Sequence, residues 1–392
     1  MGCSAVTAPT DYYPALTGLR GLAAIWVMLL HLWLLAVAPP VVVLGVDLTA
    51  LFSCGMLGVD LFFVLSGFLL GLPFLAWIDG RRPFPDLIVF FKRRCLRVLP
   101  PFYAQLLILT VGGYLVSGAW PIDAKQLLAY LSMEFLLYPD IGPLLNGVWW
   151  SLPVEWHFYL LLPLLAWLLF HARAWLVVTL VMVWVVSFRL LAYDRLFSGQ
   201  PSDLIWWTTV MHLPARLDQF LFGVLAACAH LRRPAGRSAW PAAALVAGLA
   251  GLALLVAELG RRGNVLDAAD VPWMFFHWTL IGIPMALIVY GAAAGGRLAG
   301  FLFEGRLLAF LGRISYSLYL WHGIVFVVAY RTGFSQWPPA AGLARLALWL
   351  VPVVIAVAWL SYRLTERPFL HSAAGRRAGA GTGGLATRPD GA

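Results

Sequence analysis

Long apolar runs separated by short polar loops make up most of this chain. Each run is close to the roughly 20 residues that a helix needs to cross the hydrocarbon core of a bilayer. Continuous runs favour helices, because the strands of a membrane barrel alternate apolar and polar positions. The pattern therefore predicts an all-α, polytopic transmembrane helical bundle of about ten spans. The predicted spans are 16–38, 56–78, 99–118, 147–170, 174–193, 205–229, 240–258, 272–294, 306–330 and 342–364.

Basic residues are distributed unevenly among the loops. The segments after the second, sixth and last predicted spans are rich in arginine, whereas the alternate loops carry few basic residues. Because basic loops of membrane proteins stay in the cytoplasm, both termini are predicted to be cytoplasmic. The residues on the predicted cytoplasmic side are Arg81, Arg82, Lys92, Arg93, Arg94, Arg97, Arg232, Arg233, Arg237, Arg367, Arg376, Arg377 and Arg388.

The chain divides into one large unit and a short tail. Residues 1–370 are predicted to form a single membrane domain, within which the basic stretch 80–98 is typical of a helix lying at the cytoplasmic interface. Residues 371–392 are rich in Gly, Ala and Arg and are predicted to be a disordered cytoplasmic tail.

Composition narrows the class of protein. Hydrophobic residues make up 62% of the chain and charged residues only 11%, whereas about a quarter of an ordinary soluble domain is charged. A soluble enzyme and a disordered chain are both excluded. The net charge of +9 indicates membrane topology, so no nucleic-acid partner is expected. The four cysteines have no paired spacing, and no disulfide or metal site is predicted. The preference for arginine over lysine favours a bacterial source, which implies a multi-pass protein of the cytoplasmic membrane.

Several ionisable residues fall inside the predicted spans, where they are costly and thus mark candidate functional sites. Arg20 and His31 lie eleven residues apart on the first span. That spacing places them within about 20° of one face and ~16 Å apart along the helix. The alternatives are an arginine that snorkels to the interface and a histidine that is hydrogen-bonded in the core.

Depth along the spans sorts the ionisable residues into two groups. With a rise of about 1.5 Å per residue, His31, Asp60, Glu155 and His322 fall at similar depths in the half of the bilayer away from the cytoplasm. Such carboxylates and imidazoles suit proton transfer. Arginines gather at the cytoplasmic side, where guanidinium groups suit a polyanion, although anchoring to lipid headgroups is the alternative. This second group consists of Arg20, Arg93, Arg94, Arg97 and Arg313.

Six motifs, in order along the chain, resemble those of the acyltransferase-3 family of integral-membrane O-acyltransferases. The first is an arginine followed eleven residues later by a histidine, and the third is an Arg-x-x-Arg pair. In the fourth, Pro153, Trp156 and His157 depart from the residues that the family often has. The blocks are Thr17–Ala24 with His31, Gly58–Phe68, Phe91–Pro100, Trp150–Glu155 with Phe158–Leu160, Leu311–His322, and Tyr362–Arg363 with Glu366–Phe369.

The resemblance implies transfer of an acyl group, often acetyl, from acyl-CoA to a sugar hydroxyl. The acceptor would be a surface glycan, a lipid-linked saccharide or a glycosylated natural product such as a macrolide. Acyl-CoA is expected as a co-substrate, with no bound cofactor. Arg20, Arg94 and Arg97 would hold its phosphates.

The first group, of carboxylates and imidazoles, would carry the chemistry. His31 is predicted to act as general base, with Asp60 or Glu155 orienting it and stabilising the imidazolium. Direct transfer and an acyl-histidine intermediate both remain open. The secondary candidates are Tyr316, His322 and Arg313.

Two other classes of function fit the hydrophobic pattern. A transporter or flippase of a saccharide or lipid-linked substrate also buries charges on many helices, and discontinuous helices in matching halves of the chain would favour it. A structural membrane subunit without catalysis would leave the shared face of Arg20 and His31 unexplained.

Overall fold

A computed structural model describes residues 12–137, 144–197, 211–233, 239–262, 271–333 and 339–370. These residues are almost entirely helical, which confirms the predicted all-α architecture. The predicted tail, 371–392, lies outside the described residues, as does the loop residue Arg237.

Fourteen α-helices follow one another in the described part of the chain. A short antiparallel hairpin, β1 (Val42–Val43) and β2 (Val46–Asp47), joins the first two helices. Two 3₁₀ turns, Phe135–Leu137 and Gly147–Trp150, precede α6, and a π-helical turn, Tyr362–Glu366, follows the last helix. The helices are α1 (Pro14–Leu35), α2 (Thr49–Ser53), α3 (Leu57–Ile78), α4 (Leu87–Ser117), α5 (Ala124–Ser132), α6 (Ser151–His171), α7 (Ala174–Phe197), α8 (Leu213–Leu231), α9 (Trp240–Arg261), α10 (Val271–Ala294), α11 (Arg297–Phe303), α12 (Arg306–Arg313), α13 (Ser315–Arg331) and α14 (Pro339–Ser361).

Eight helical segments of the described chain are long and apolar enough to cross a membrane, or nine if α12 and α13 count as one bent span. The sixth predicted span is present as helix α8. It falls outside this set because Arg216, Asp218 and Gln219 make its first half polar. Large apolar side chains such as Leu180 and Leu254 are exposed on the outside of the bundle, where lipid would cover them.

Two predicted boundaries differ from the structure. The basic stretch 80–98 and the span 99–118 were expected as separate elements, but α4 runs through Pro100 and Pro101 as one helix. The ninth predicted span, 306–330, is broken, and the helix axis bends by 76° between its two parts. The break brings the first turn of α13 into the interior of the bundle, because Ser315 is buried there.

Glycines allow the central helices to approach closely. A Cβ atom on Gly67 of α3 would lie 2.1 Å from the carbonyl oxygen of Phe220 on α8. On the other side of the same crossing, a Cβ on Gly223 would lie 2.1 Å from the carbonyl oxygen of Val64. Backbones that touch through small residues are typical of membrane helix pairs. The α3–α8 crossing forms the centre of the bundle, where the rings of Phe63 and Phe220 stack 4.8 Å apart.

Candidate active site

A cavity inside the bundle gathers four of the predicted site residues. Arg20 of α1, Arg97 of α4, Glu155 of α6 and Tyr316 of α13 all line this cavity. We call it the arginine cavity. Its other lining residues are Val59, Phe62, Phe63, Ser66, Val98, Ser151, Leu152, Tyr159, Ser315 and Tyr319.

The polar wall of the arginine cavity is built around Glu155. The hydroxyl of Ser66 on α3 donates a hydrogen bond of 2.5 Å to a carboxylate oxygen of Glu155. Tyr159 lies one turn further along α6 and also lines the cavity. The guanidinium of Arg20 lies 5.8 Å from the ring centre of Phe62, an arrangement that suits a cation–π contact. Two cations and one anion therefore line the same cavity.

The broken ninth span closes one side of the arginine cavity. Tyr316 in the first turn of α13 donates a hydrogen bond of 2.9 Å to the carbonyl of Val98 on α4. The backbone N–H and the hydroxyl of Ser317 donate bonds of 3.1 and 2.5 Å to Glu366 in the π-helical turn. A carboxylate at the N-terminus of a helix satisfies donors that have no partner within that helix. Glu366 thus fixes the turn that carries Tyr316.

Arg94 lies beside the arginine cavity without lining it. It precedes Arg97 by three residues on α4, so both side chains share one helix face. Its electrostatic neighbours are Tyr159, Arg97 and Glu155. The Nε atom of Arg94 is buried and has no hydrogen-bond partner among the described residues. Arg313, by contrast, is exposed at the end of α12 and does not line the cavity.

The two predicted histidines form a pair. Nε2 of His322 on α13 lies 3.3 Å from Nδ1 of His31 on α1, and the ring centres are 4.9 Å apart. His322 is fully buried, and His31 is half-buried. Neither histidine lines the arginine cavity. Tyr319 connects the two places, because it lines the cavity and its ring lies 5.8 Å from that of His322.

The structure does not bring Asp60 to His31. Asp60 Oδ1 instead accepts hydrogen bonds of 2.7 Å from Arg216 and of 2.7 Å from Gln219, both on α8. All three side chains are buried. Glu155 is likewise held by Ser66 in the arginine cavity. Among the described residues neither carboxylate pairs with His31 as expected. Asp60 is bound by Arg216 and Gln219 of α8, and Glu155 is bound by Ser66 of α3.

A second buried ion pair was missed from the sequence. Arg189 of α7 donates two hydrogen bonds from Nη2, of 3.0 and 2.9 Å, to the carboxylate of Asp218 on α8. Thr279 of α10 accepts a third bond of 2.6 Å from the Nη1 atom of Arg189. A single arginine inside the apolar run 174–193 was the available signal. The pair joins three helices and lies outside the arginine cavity.

Other site residues were also missed. Ser66, Tyr159 and Tyr319 lie within the motifs that the sequence singled out, but hydroxyl-bearing side chains there also serve as contacts between helices. Their position in those motifs was the sequence feature that could have identified them as site residues. In the residues that the structure describes, no group of three or more His, Cys, Asp or Glu side chains could hold a metal ion.

The alternative of a carrier predicted discontinuous helices in matching halves of the chain. The described residues contain one bent helix pair, α12 and α13. A single break does not form a matching set.

Comparison with known proteins adds independent information. A family model described as an acyltransferase domain matches residues 13–363. No solved structure matches the chain.

Three bacterial relatives show how far the similarity extends. O-acetyltransferase OatA of Staphylococcus aureus is 26% identical, over 91% of this chain and 57% of its own length. Acyltransferase MdmB of Streptomyces mycarofaciens is 27% identical, over 96% of this chain and 95% of its own. Exopolysaccharide production protein ExoZ of Rhizobium meliloti is 25% identical, over 86% and 96%. The chain thus spans little more than half the length of OatA and nearly all of the other two.

Proposed function

This chain belongs to the acyltransferase-3 family, and we propose that it moves an acyl group, most simply acetyl, from acyl-CoA to a hydroxyl of a sugar-bearing acceptor. The acceptor would be a surface polysaccharide, a lipid-linked saccharide or a glycosylated natural product. The names of the relatives OatA and ExoZ support O-acetyl transfer and exopolysaccharide chemistry respectively. The reaction would take place in the cytoplasmic membrane of a bacterium.

The convergence of Arg20 and Arg97 on one cavity carries this proposal. The two residues lie on different helices, and two guanidinium groups beside one carboxylate leave an excess of positive charge that favours an anionic ligand. Coenzyme A carries several phosphate charges, and guanidinium groups bind phosphate through two parallel hydrogen bonds. Arg94, on the same face of α4 as Arg97, would extend the binding site along that helix. Glu155 balances part of the positive charge when the donor is absent.

The other end of the site would activate the acceptor. His31 lies on α1, the helix that also carries Arg20, and is half-buried, so an acceptor hydroxyl could reach it. Its imidazole would take the proton of the hydroxyl as the oxygen attacks the thioester carbonyl. A C–O bond forms, the C–S bond breaks, and the proton passes from His31 to the departing thiolate of coenzyme A. The products are the O-acyl sugar and free coenzyme A.

Radiolabelled acetyl-CoA distinguishes the enzyme from a carrier. Purified protein in lipid nanodiscs would be incubated with [¹⁴C]acetyl-CoA and with octyl β-D-glucoside, a peptidoglycan fragment or a glycosylated macrolide as acceptor. Release of free thiol together with label on an acceptor supports the proposal. In proteoliposomes, movement of a lipid-linked saccharide without consumption of thioester would overturn it.

A further inference from the structure

The contacts of the histidine pair fix where the protons of both rings lie. Nδ1 of His31 is 2.9 Å from the carbonyl oxygen of Val27, one turn earlier on α1. Nδ1 of His322 is 3.1 Å from the carbonyl oxygen of Leu318, one turn earlier on α13. A carbonyl oxygen only accepts hydrogen bonds, so the nitrogen that faces it must carry the proton. In both neutral rings the proton is therefore on Nδ1, and Nε2 holds the lone pair.

The arrangement gives the two Nε2 atoms different roles. The lone pair of His322 Nε2 faces Nδ1 of His31 at 3.3 Å, so this N–H is shared between Val27 and His322. Nε2 of His31 receives no hydrogen bond from the residues that the structure describes. The lone pair of His31 that is free to accept a proton from an acceptor hydroxyl is thus the one on Nε2.

No carboxylate of the described residues takes the place of His322. Asp60 is engaged by Arg216 and Gln219, and Glu155 by Ser66. In hydrolase triads a carboxylate holds the base histidine in one tautomer and stabilises its cation. Here the neutral imidazole of His322 faces Nδ1 of His31, the atom that a carboxylate would face in a triad. An additional charge inside the bundle would be costly.

We propose that His322 is the positioning residue of this site, which holds His31 as its Nδ1–H tautomer and stabilises the imidazolium that forms during transfer. This inference rests on the proposed function. When His31 Nε2 takes the proton of the acceptor hydroxyl, the positive charge spreads to Nδ1–H, and the bond to His322 strengthens. The proton then leaves Nε2 for the thiolate of coenzyme A, and both rings return to their starting state.

Substitution of His322 separates positioning from packing. His322→Ala removes the acceptor, and kcat for acetyl-CoA with octyl β-D-glucoside is expected to fall by about tenfold to a hundredfold. KM for acetyl-CoA is expected to stay unchanged, because the arginine cavity is untouched. His322→Gln places an amide oxygen near the position of Nε2, and kcat should recover to within a few fold of wild type.

A control variant tests whether the loss of any buried histidine lowers kcat. His277 on α10 is also fully buried and lies outside the histidine pair. His277→Ala is expected to keep the wild-type kcat in the fraction that elutes as folded protein from size-exclusion chromatography. Equal kcat in His322→Ala and wild type would overturn the proposal, as would a failure of His322→Gln to exceed His322→Ala.

A spectroscopic measurement determines the tautomer of His31 independently of activity. Solid-state ¹⁵N NMR of histidine-labelled protein in mildly alkaline buffer reports which ring nitrogen carries the proton, and the His31→Gln spectrum assigns the His31 signals. We expect Nδ1–H in wild type and in His322→Gln, and a mixture of tautomers in His322→Ala. An Nε2–H tautomer in wild type would contradict the inference. If wild type does not consume acetyl-CoA, the proposed function fails, and the NMR result still decides the tautomer.

Discussion

At the scale of single residues, burial determines what each charge can do. Arg20, Arg97 and Glu155 line one cavity, whereas Arg313 is exposed and free to interact with lipid headgroups. The sequence placed Arg20 and Arg97 on one side of the membrane but gave no measure of their exposure. Only the packing of three helices shows that they share one cavity.

The arginine cavity predicts a specific defect in donor binding. Arg97→Gln removes one charged partner of the coenzyme A phosphates. A charge-assisted hydrogen bond contributes about 1.5–3 kcal/mol, so KM for acetyl-CoA should rise by roughly tenfold to a hundredfold in steady-state thiol-release assays. Arg94→Ala should raise the same KM.

Arg331→Gln provides the control for the loss of an arginine. This residue is exposed at the far end of α13 and does not line the cavity. Its KM should match that of wild type. An unchanged KM in both Arg97→Gln and Arg94→Ala would contradict phosphate binding by these residues.

The Arg189–Asp218 pair predicts a stability effect separate from catalysis. Both side chains are fully buried, so Asp218→Ala leaves an uncompensated cation and should cost about 3–5 kcal/mol. The midpoint of thermal unfolding, followed by fluorescence-detected size-exclusion chromatography, should fall clearly. In the double variant Arg189→Met/Asp218→Leu the unfolding midpoint should recover much of the decrease. A double variant that unfolds at the same temperature as Asp218→Ala would argue against a simple ion pair.

At the scale of helices, sequence patterns identified where spans lie but not how they end. The polar run before Pro100 suggested an interfacial helix, yet α4 continues through both prolines, with Val98 before them and Phe102 after them buried. The break between α12 and α13 coincides with a short polar stretch, Arg313, Ser315 and Ser317, but such residues also occur inside continuous membrane helices. Such breaks depend on contacts with other helices, here those of Ser317 and Tyr316 with Glu366 and Val98.

The close crossing of α3 and α8 predicts a strong effect of side-chain size. Gly223→Leu would push a side chain into the backbone of Val64, and overpacking costs typically about 1–3 kcal/mol or more. The yield of folded, monodisperse protein should fall. Gly112→Leu on α4 is the matched control, because a Cβ there meets nothing within 4 Å. Equal yields from both variants would show that the two helices can separate at little cost.

At the scale of the whole molecule, composition was enough to predict the fold class. The low content of charge excluded a soluble globule, and the described residues form a helical bundle with eight or nine candidate spans. The predicted number of ten counted α8, whose polar first half is buried against α3 rather than exposed to lipid. The partners of Asp60 and His31 could not be predicted, because helix order around the bundle and helix rotation are not encoded in hydropathy.

The membrane orientation remains a prediction from the loop charges. Alkaline phosphatase needs disulfides that form only outside the cytoplasm, so a fusion after Leu44, in the hairpin between α1 and α3, should be active. A fusion after Arg82, in the basic loop between α3 and α4, should be inactive. The reverse pattern of activity would show that the topology is inverted, with the arginine cavity towards the outer face of the membrane.

The most direct test of the whole account is the rate at which His31→Ala consumes acetyl-CoA in nanodiscs, measured beside wild type with the same acceptor. The account predicts that wild type releases thiol and labels the acceptor. It predicts that His31→Ala does neither, although it is inserted, elutes as folded protein and still binds acetyl-CoA. Normal turnover by His31→Ala would contradict the assignment of His31 as the base and, with it, the proposed division of the site.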